Sequence, residues 1–393
     1  MTRIVILYSG GRHWGGIETY LLNLFRLYDR RKIELVLATM GEWELTRALR
    51  DEAQAAEVRV LSAKRARLRT IFALRRLLRT EQAQLIVSQG VVANAYARLA
   101  ALGTGVPSLV VVHSDLAADY PKRAVRWAYT LFDRALRPMT KQYVTVCRYL
   151  KVRLVASGIE AERVEVIPNG VSLSGRAPRH GDAGGGGPQA CPRGSTVRTV
   201  RKDVARLATV GRLHPVKNFD GLIAAMGLLP PETRLAIWGE GPERANLSAL
   251  IAGMGLQDRI ALCGESENMA QALADADIYV QPSKSEGCSF TVAEAMLQGK
   301  PVIVTPCGGL PEQIADGETG LVASDASAEG LAAAISTLVC DADLAAKLAE
   351  AGQKAAEVAY AMDAWLERTT AAFLGAARGG AFADSGGEAT AAS

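Results

Sequence analysis

Four side chains carry the strongest chemical suggestion in this chain of 393 residues: the cations Arg212 and Lys217 and the carboxylates Glu286 and Glu294. The cations stand in Gly211-Arg212-Leu213-His214-Pro215-Val216-Lys217-Asn218, directly after an apolar run, Leu207–Val210. A planar guanidinium and a compact ammonium in one turn suit the two phosphates of a diphosphate. A solvated basic turn is the plainer alternative. The carboxylates are eight residues apart in Ser285-Glu286-Gly287-Cys288-Ser289-Phe290-Thr291-Val292-Ala293-Glu294-Ala295-Met296. On one continuous helix they would lie about 12 Å apart along the axis. On such a helix they are too far apart for the paired carboxylates of retaining glycoside hydrolysis, which need about 5.5 Å. Gly287 instead puts Glu286 in a loop and Glu294 in the helix that follows. The free amides near Ser289 and Phe290 then face any anion at the helix N-terminus. Carboxylates also bind vicinal hydroxyls, one those of a sugar and the other those of a ribose. A surface glutamate followed by a helical one gives the same spacing.

Two glycine turns and one histidine complete the set. Gly10-Gly11 and Gly15-Gly16-Ile17-Glu18 follow the first apolar run, Ile4–Tyr8, and open a helix. Glycine lets backbone approach a ligand, and a helix N-terminus attracts anions. The spacing is not GxGxxG and no acidic residue ends the second strand, which disfavours a nicotinamide cofactor. Gly239-Glu240-Gly241-Pro242 ends another apolar run, where it either admits a nucleotide or turns the chain. His113 ends the run Leu109–Val112, so its imidazole enters a ligand crevice or serves as a structural histidine. Only four histidines exist, His13, His113, His180 and His214, and they form no metal motif. Asp275-Ala276-Asp277 falls at a helix-to-strand junction, which argues against a metal role.

The elements that must position these groups are short apolar strands alternating with amphipathic helices. Strands are expected at Ile4–Tyr8, Ile33–Thr39, Val58–Leu61, Leu85–Ser88, Ser108–His113 and Tyr143–Val146. After a break at Asn169-Gly170-Val171 the pattern restarts, with Leu207–Val210, Arg234–Trp238, Ile260–Leu262, Ile278–Gln281 and Pro301–Val304. Helices are expected at Ile17–Tyr28, Asn94–Leu102, Asn218–Leu228, Glu243–Met254, Thr291–Gln298, Glu329–Val339 and Met362–Leu374. Such alternation predicts parallel sheets covered on both faces. The class is therefore α/β, with two doubly wound domains whose ligands bind beyond the carboxyl ends of the strands.

Length and composition agree. At about 150 residues per domain the chain holds two to three domains. Hydrophobic residues at 49% and charged residues at 22% exclude a disordered or disulfide-stapled protein. The boundaries read as 1–171 for the first domain, 172–205 for a basic Gly/Pro-rich linker or insertion, and 206–360 for the second domain. A C-terminal helix at 361–377 packs back toward the first domain, and a Gly/Ala/Ser tail at 378–393 is expected to fray. The six cysteines form no CxxC pair, which predicts reduced thiols. The opening apolar run is too short for a signal peptide, and no stretch is long enough for a transmembrane helix. The expected location is the cytoplasm.

In this order the motifs resemble the retaining glycosyltransferases of the GT-B fold, specifically glycosyltransferase family 4. The resemblance rests on Gly15-Gly16, Ile167-Pro168-Asn169-Gly170-Val171, Gly211-Arg212…Lys217-Asn218, Gly239-Glu240-Gly241-Pro242, Glu286 through Glu294-Ala295-Met296, and Gly308-Gly309-Leu310-Pro311-Glu312. It implies two Rossmann-like domains facing across a cleft and transfer of a hexose from a nucleotide sugar, a UDP-sugar favoured over a GDP-sugar. The acceptor it implies is a sugar or a lipid-linked sugar, in surface polysaccharide or glycolipid synthesis. Arg212 and Lys217 would then hold the diphosphate, Glu286 the hexose hydroxyls and Glu294 the ribose. His113 would meet the sugar near the reacting carbon, and Gly15-Gly16 would close over phosphate and acceptor. No metal or cofactor is implied, since the nucleotide sugar is a substrate. The insertion after Val171 is longer than the family's usual connection, and hinging from Gly170 with closure around substrate is expected.

Charge points to a further partner. Residues 1–171 carry a net +12, residues 172–206 a net +5 and residues 207–393 a net −13, which gives the overall +4. Arg65, Arg67, Arg69, Arg75, Arg76 and Arg79 lie on an amphipathic stretch with Leu68, Ile71, Phe72 and Leu78. A second basic stretch runs from Lys122 to Arg137. Such helices lie on anionic membranes, although two ordinary surface helices fit the same pattern. A peripheral enzyme at the cytosolic leaflet is therefore expected. Nucleic acid is not, because it leaves the phosphate and glutamate groups of the acidic half unexplained. A nucleotide-sugar epimerase and a non-catalytic scaffold on the same fold are the alternative functions.

Overall fold

A computed structural model describes residues 1–10, 14–52, 57–61, 67–115, 123–171, 205–266 and 269–379. The first sheet contains β1 (Thr2–Tyr8), β2 (Ile33–Thr39), β3 (Glu57–Val60), β4 (Leu85–Gln89), β5 (Ser108–Val112), β6 (Gln142–Thr145) and β7 (Val164–Val166). Their order is β3-β2-β1-β4-β5-β6-β7, and every pair is parallel. The last five residues of β1 are buried without a break. A parallel strand covered on both faces has that pattern. The second sheet holds β8 (Arg206–Val210), β9 (Arg234–Trp238), β10 (Ile260–Gly264), β11 (Ile278–Gln281), β12 (Val302–Val304) and β13 (Leu321–Val322). Its order is β10-β9-β8-β11-β12-β13, again parallel throughout. The expected class, α/β with two Rossmann-like doubly wound domains, is borne out.

The chain divides into two compact units. One is Met1–Pro168 with the chain from Asp363 onward, and the other is Asn169–Met362. Strand alternation builds two cores in the second unit. Ile278, Val280 and Ile303 face one core with Ile223 and Ile335. Tyr279, Val302 and Val304 face the other with Val292, Met296 and Tyr360. In each sheet the strand order reverses beside the first strand, between β1 and β4 and between β8 and β11. At such a switch point the connecting loops diverge and leave a crevice at the carboxyl edge.

Several details differ from the sequence expectation. Strands β7 and β13, of three and two residues, carry no readable alternation. The helix Ala342–Ala359 has an alanine-rich core face of low contrast. The expected insertion, 172–205, lies outside the described residues except for residue 205, as does nearly all of the expected tail. Cys147, Cys288, Cys307 and Cys340 are thiols rather than half-cystines.

Candidate functional site

Strands β8 and β11 deliver the sequence-expected residues to the switch point of the second sheet. The loop after β8 carries Gly211 to Asn218, and the loop after β11 carries Ser283 to Ser289. A backbone bond from Lys284 N–H to the Val216 carbonyl, 2.8 Å, ties the loops together. The Lys217 ammonium lies 2.5 Å from Glu286 Oε2, and both side chains are mostly buried, 21% and 16% exposed. The diphosphate candidate and the hydroxyl candidate are therefore one ion pair. Arg212 is exposed, and among the described residues it has no ion-pair partner.

Glu286 is held from behind by uncharged groups. Ser283 Oγ donates to Glu286 Oε2 at 3.1 Å and accepts from Gln281 Nε2 at 2.8 Å. The Tyr279 phenol donates to Gln281 Oε1 at 2.6 Å, and burial keeps that phenol protonated. This relay has no spacing signature, so sequence reasoning missed it. Removing its last link, Ser283→Ala, is expected to lower donor turnover about fivefold, one hydrogen bond's net worth, as read in kcat/KM. The Cys307 thiol donates to the Ser283 carbonyl at 3.0 Å. Burial pushes it up to about 11, so it stays a thiol at neutral pH.

Three glycines make these loops possible. A Cβ on Gly308, at φ +56°, would stand 1.9 Å from the Glu286 carbonyl oxygen. One on Gly239, at φ +137°, would stand 1.9 Å from the Gly211 oxygen, and one on Gly241 would stand 2.3 Å from the Leu213 oxygen. The structure thus gives Gly239 and Gly241 a packing duty: they let the loop after β9 press against the loop that carries Arg212.

The helix Phe290–Leu297 follows Glu286, and Glu294 lies in its second turn, partly buried. Ser289 caps the helix through its hydroxyl, which accepts from Val292 N–H. One expectation needs correction here. The Ser289 amide already donates to Gln313 Oε1 at 2.7 Å, so it is not open to an anion. The Phe290 and Thr291 amides are the open donors of this terminus. Asp277 grips Arg206 through its backbone N–H at 2.8 Å and its guanidinium at 3.1 Å, which accounts for the DxD string. Among the described residues no cluster of three His, Cys, Asp or Glu is placed to hold a metal.

The first unit positions the remaining candidates. Gly15 caps the helix Gly16–Leu27, and its N–H donates to Glu18 Oε2 at 2.9 Å. The other Glu18 oxygen accepts from the Tyr8 hydroxyl. His113 follows β5, with Nε2 3.0 Å from Gln89 Oε1 and the Tyr20 ring edge-on at 4.9 Å. Packing desolvates the imidazole and lowers it to about 4. In the unfolded chain it takes a proton near the ordinary 6.5. Between these values the unfolded state binds more protons, so stability falls as pH drops from about 6.5 to about 4. Chemical denaturation at pH 7 and pH 5 should show this loss, and His113→Gln should lessen it.

The arginine-rich helix Arg67–Thr80 turns Thr70, Leu74 and Leu78 inward. Its outer face shows Leu68 and Phe72, 71% and 65% exposed, beside exposed Arg69, Arg76 and Arg79. The helix Val91–Ala101 packs against it and against Arg123–Leu136, which exposes Trp127 at 68% and Leu131. Arg75 is a correction. Its guanidinium donates to the carbonyls of Leu99, Ala100 and Leu102, because a helix end leaves carbonyls without partners. Arg75→Ala is expected to cost about 2 kcal/mol of stability, measured by urea denaturation. Arg65 and the Arg67 side chain lie outside the described residues. Among the described residues no helix is long and apolar enough to cross a membrane.

Comparison with known proteins places this geometry. Residues 15–170 match the glycosyl transferase 4-like domain, and residues 197–355 match glycosyl transferases group 1. The lipopolysaccharide core biosynthesis glycosyltransferase LpsE of Rhizobium meliloti is 34% identical over 168 residues, 40% of this chain and 49% of that protein. The GDP-mannose-dependent alpha-(1-6)-phosphatidylinositol monomannoside mannosyltransferase of Mycolicibacterium smegmatis is 29% identical over 241 residues, 58% of this chain and 59% of that protein. The matches thus span about half the length of these relatives. Anabaena HepE in complex with UDP-glucose superposes with a TM-score of 0.78 over 95% of this chain and 99% of that one, at 18% identity. With both halves matched and the GT-B fold shared, the chain belongs to the group 1, family 4 glycosyltransferases.

Proposed function

We propose that this protein transfers a hexose from a nucleotide sugar, a UDP-sugar ahead of a GDP-sugar, to a sugar or lipid-linked acceptor, with retention and without a metal or cofactor. The observation that carries the reading is the Lys217–Glu286 pair at the switch point of the second sheet, with exposed Arg212 on the same loop. A diphosphate entering there offers Lys217 two negative oxygens in place of one carboxylate. Glu286 is then released to accept hydrogen bonds from hexose hydroxyls. Lys217 and Arg212 stabilise the charge that develops on the leaving diphosphate, which is electrostatic catalysis. Glu294 takes the ribose hydroxyls, Gly15-Gly16 the acceptor side, and His113 a hydroxyl of the sugar. In the same-face displacement, the sugar–phosphate bond breaks as the acceptor oxygen bonds the anomeric carbon, and the acceptor proton passes to the leaving phosphate.

Relatives named for lipopolysaccharide core and phosphatidylinositol mannoside synthesis, and a fold neighbour holding UDP-glucose, support this reading. They also favour surface polysaccharide or glycolipid assembly. The face of Leu68, Phe72, Arg69, Arg76 and Arg79 suits the anionic cytosolic leaflet where a lipid-linked acceptor resides, because apolar side chains enter the acyl boundary while arginines meet headgroups. Cosedimentation with phosphatidylglycerol vesicles at low salt tests that contact; failure to bind removes the membrane from the proposal. The activity itself is tested by nucleotide release from UDP-, GDP- and ADP-sugars, with and without a lipid extract. Release from one donor, strengthened by lipid, is the expected result. Donor conversion without acceptor would mean an epimerase, and inert donors throughout would mean a scaffold.

A further inference from the structure

Gln89 is the last residue of β4 and 1% exposed. It sits beside β1 at the switch point of the first sheet, paired in register with Val111 of β5. Its carboxamide oxygen meets His113 Nε2 at 3.0 Å, and its amide nitrogen is buried without a hydrogen-bond partner. A carboxamide oxygen only accepts, so the ring nitrogen must be the donor. With the carboxamide oxygen turned to the ring in this way, the proton belongs on Nε2 and the lone pair on Nδ1. The ring also packs against Tyr20, whose other aromatic contact is Trp365 at 5.1 Å, from the helix Met362–Ala377.

We propose that Gln89 is a positioning residue that fixes His113 as the uncharged Nε2–H tautomer, so that Nδ1 accepts a hydrogen bond from a substrate hydroxyl. This rests on the reading that His113 meets the transferred sugar. The choice of a carboxamide has a chemical reason. A carboxylate in its place would draw a second proton onto the ring and make it an imidazolium. Positive charge develops on the sugar as the leaving group departs, and a neighbouring cation would oppose it. A neutral amide orients the ring without charging it. Among the described residues, Tyr20, a phenol, is a titratable group in ring contact with His113. Asp115, two residues on, is engaged by Arg153 at 3.2 Å and by the Tyr149 hydroxyl at 3.2 Å. Burial, rather than a charged neighbour, is what lowers the imidazole.

The test combines nitrogen-15 NMR of the histidine rings, assigned with His113→Gln, with pH profiles of donor turnover. The unmodified protein should show His113 as the Nε2–H tautomer, with no titration between pH 5 and pH 8. Gln89→Glu should bring the His113 midpoint into that range. It should also lower kcat about tenfold or more on its acid side, with recovery above the midpoint. Gln89→Leu should mix the tautomers and raise KM while leaving the pH profile flat. An Nδ1–H tautomer in the unmodified protein overturns the proposal even if neither variant folds. A Gln89→Glu protein whose His113 midpoint and pH profile stay unchanged overturns it as well. The two readings fail separately. Inert donors alongside the expected tautomer and shifted midpoint reject the transferase reading alone, and brisk turnover with an unchanged profile rejects the role of Gln89 alone.

Discussion

Lys217→Ala lowers kcat/KM for nucleotide-sugar turnover by about a thousandfold, the range found when one preorganised charge-stabilising donor is removed from an active site. The loss falls on kcat more than on KM, because charge on the leaving diphosphate grows only as the bond breaks. An ion pair with purely structural duty makes a different prediction. A partly exposed pair contributes about 1 kcal/mol or less, so Lys217→Ala would then change the denaturation midpoint and leave activity near normal. The double variant Lys217→Ala/Glu286→Gln separates the cases. If the pair is structural, removing the stranded carboxylate restores the denaturation midpoint and activity stays near normal throughout. If each partner binds a different part of the donor, the double variant is worse than either single one.

Gly308→Ala is the second large effect, with turnover expected to fall about a hundredfold through displacement of Glu286. The added methyl carbon would stand 1.9 Å from the Glu286 carbonyl oxygen, the same oxygen that accepts the Gly309 N–H at 3.1 Å. Backbone must move, and Glu286 moves with it. The left-handed φ of +56° adds strain of about 1–2 kcal/mol for any residue with a Cβ. Gly317→Ala provides the control. It has φ +72° and nothing within 4 Å of the added carbon, so it carries strain without displacement. Thermal unfolding of both variants, read beside turnover, tests the distinction. A larger melting loss in Gly308→Ala, with activity lost only there, is the expected pattern. Equal activity in the two would remove the steric link to Glu286.

The parts of this molecule that repeat a pattern were legible in the sequence. Buried parallel strands show as short β-branched runs, and the helix Gly16–Leu27 follows its 3.6-residue period. Charged groups on sharp turns were legible as well, because Lys217 and Glu286 stand beside glycines that mark loops. The supporting groups were not. Ser283, Gln281 and Tyr279 alternate along β11 and its exit loop, where their residue types suit an ordinary strand end. Gln89 looked like the polar residue that closes a strand, and only the neighbouring chain at β5 reveals its partner. Arg75 looked like its neighbours Arg76 and Arg79. One helical position separates the side chain that caps Val91–Ala101 from those that face outward, and the caps of a neighbouring helix leave no mark on local periodicity.

The aromatic contact between Trp365 and Tyr20 reaches beyond packing. Every residue assigned to the donor lies before position 300, yet the indole that packs on Tyr20, the ring beside His113, is encoded about 345 residues after Tyr20 itself. A gene carrying a stop codon near position 360 would still specify Lys217, Glu286 and Glu294 with all their supporting loops. Its product would lack Trp365, and Tyr20 would lose the partner that fixes its ring. Such a nonsense allele should retain nucleotide binding while its earliest-synthesised unit stays incomplete. The first unit of this polypeptide is therefore completed only after the second, Asn169–Met362, has been synthesised.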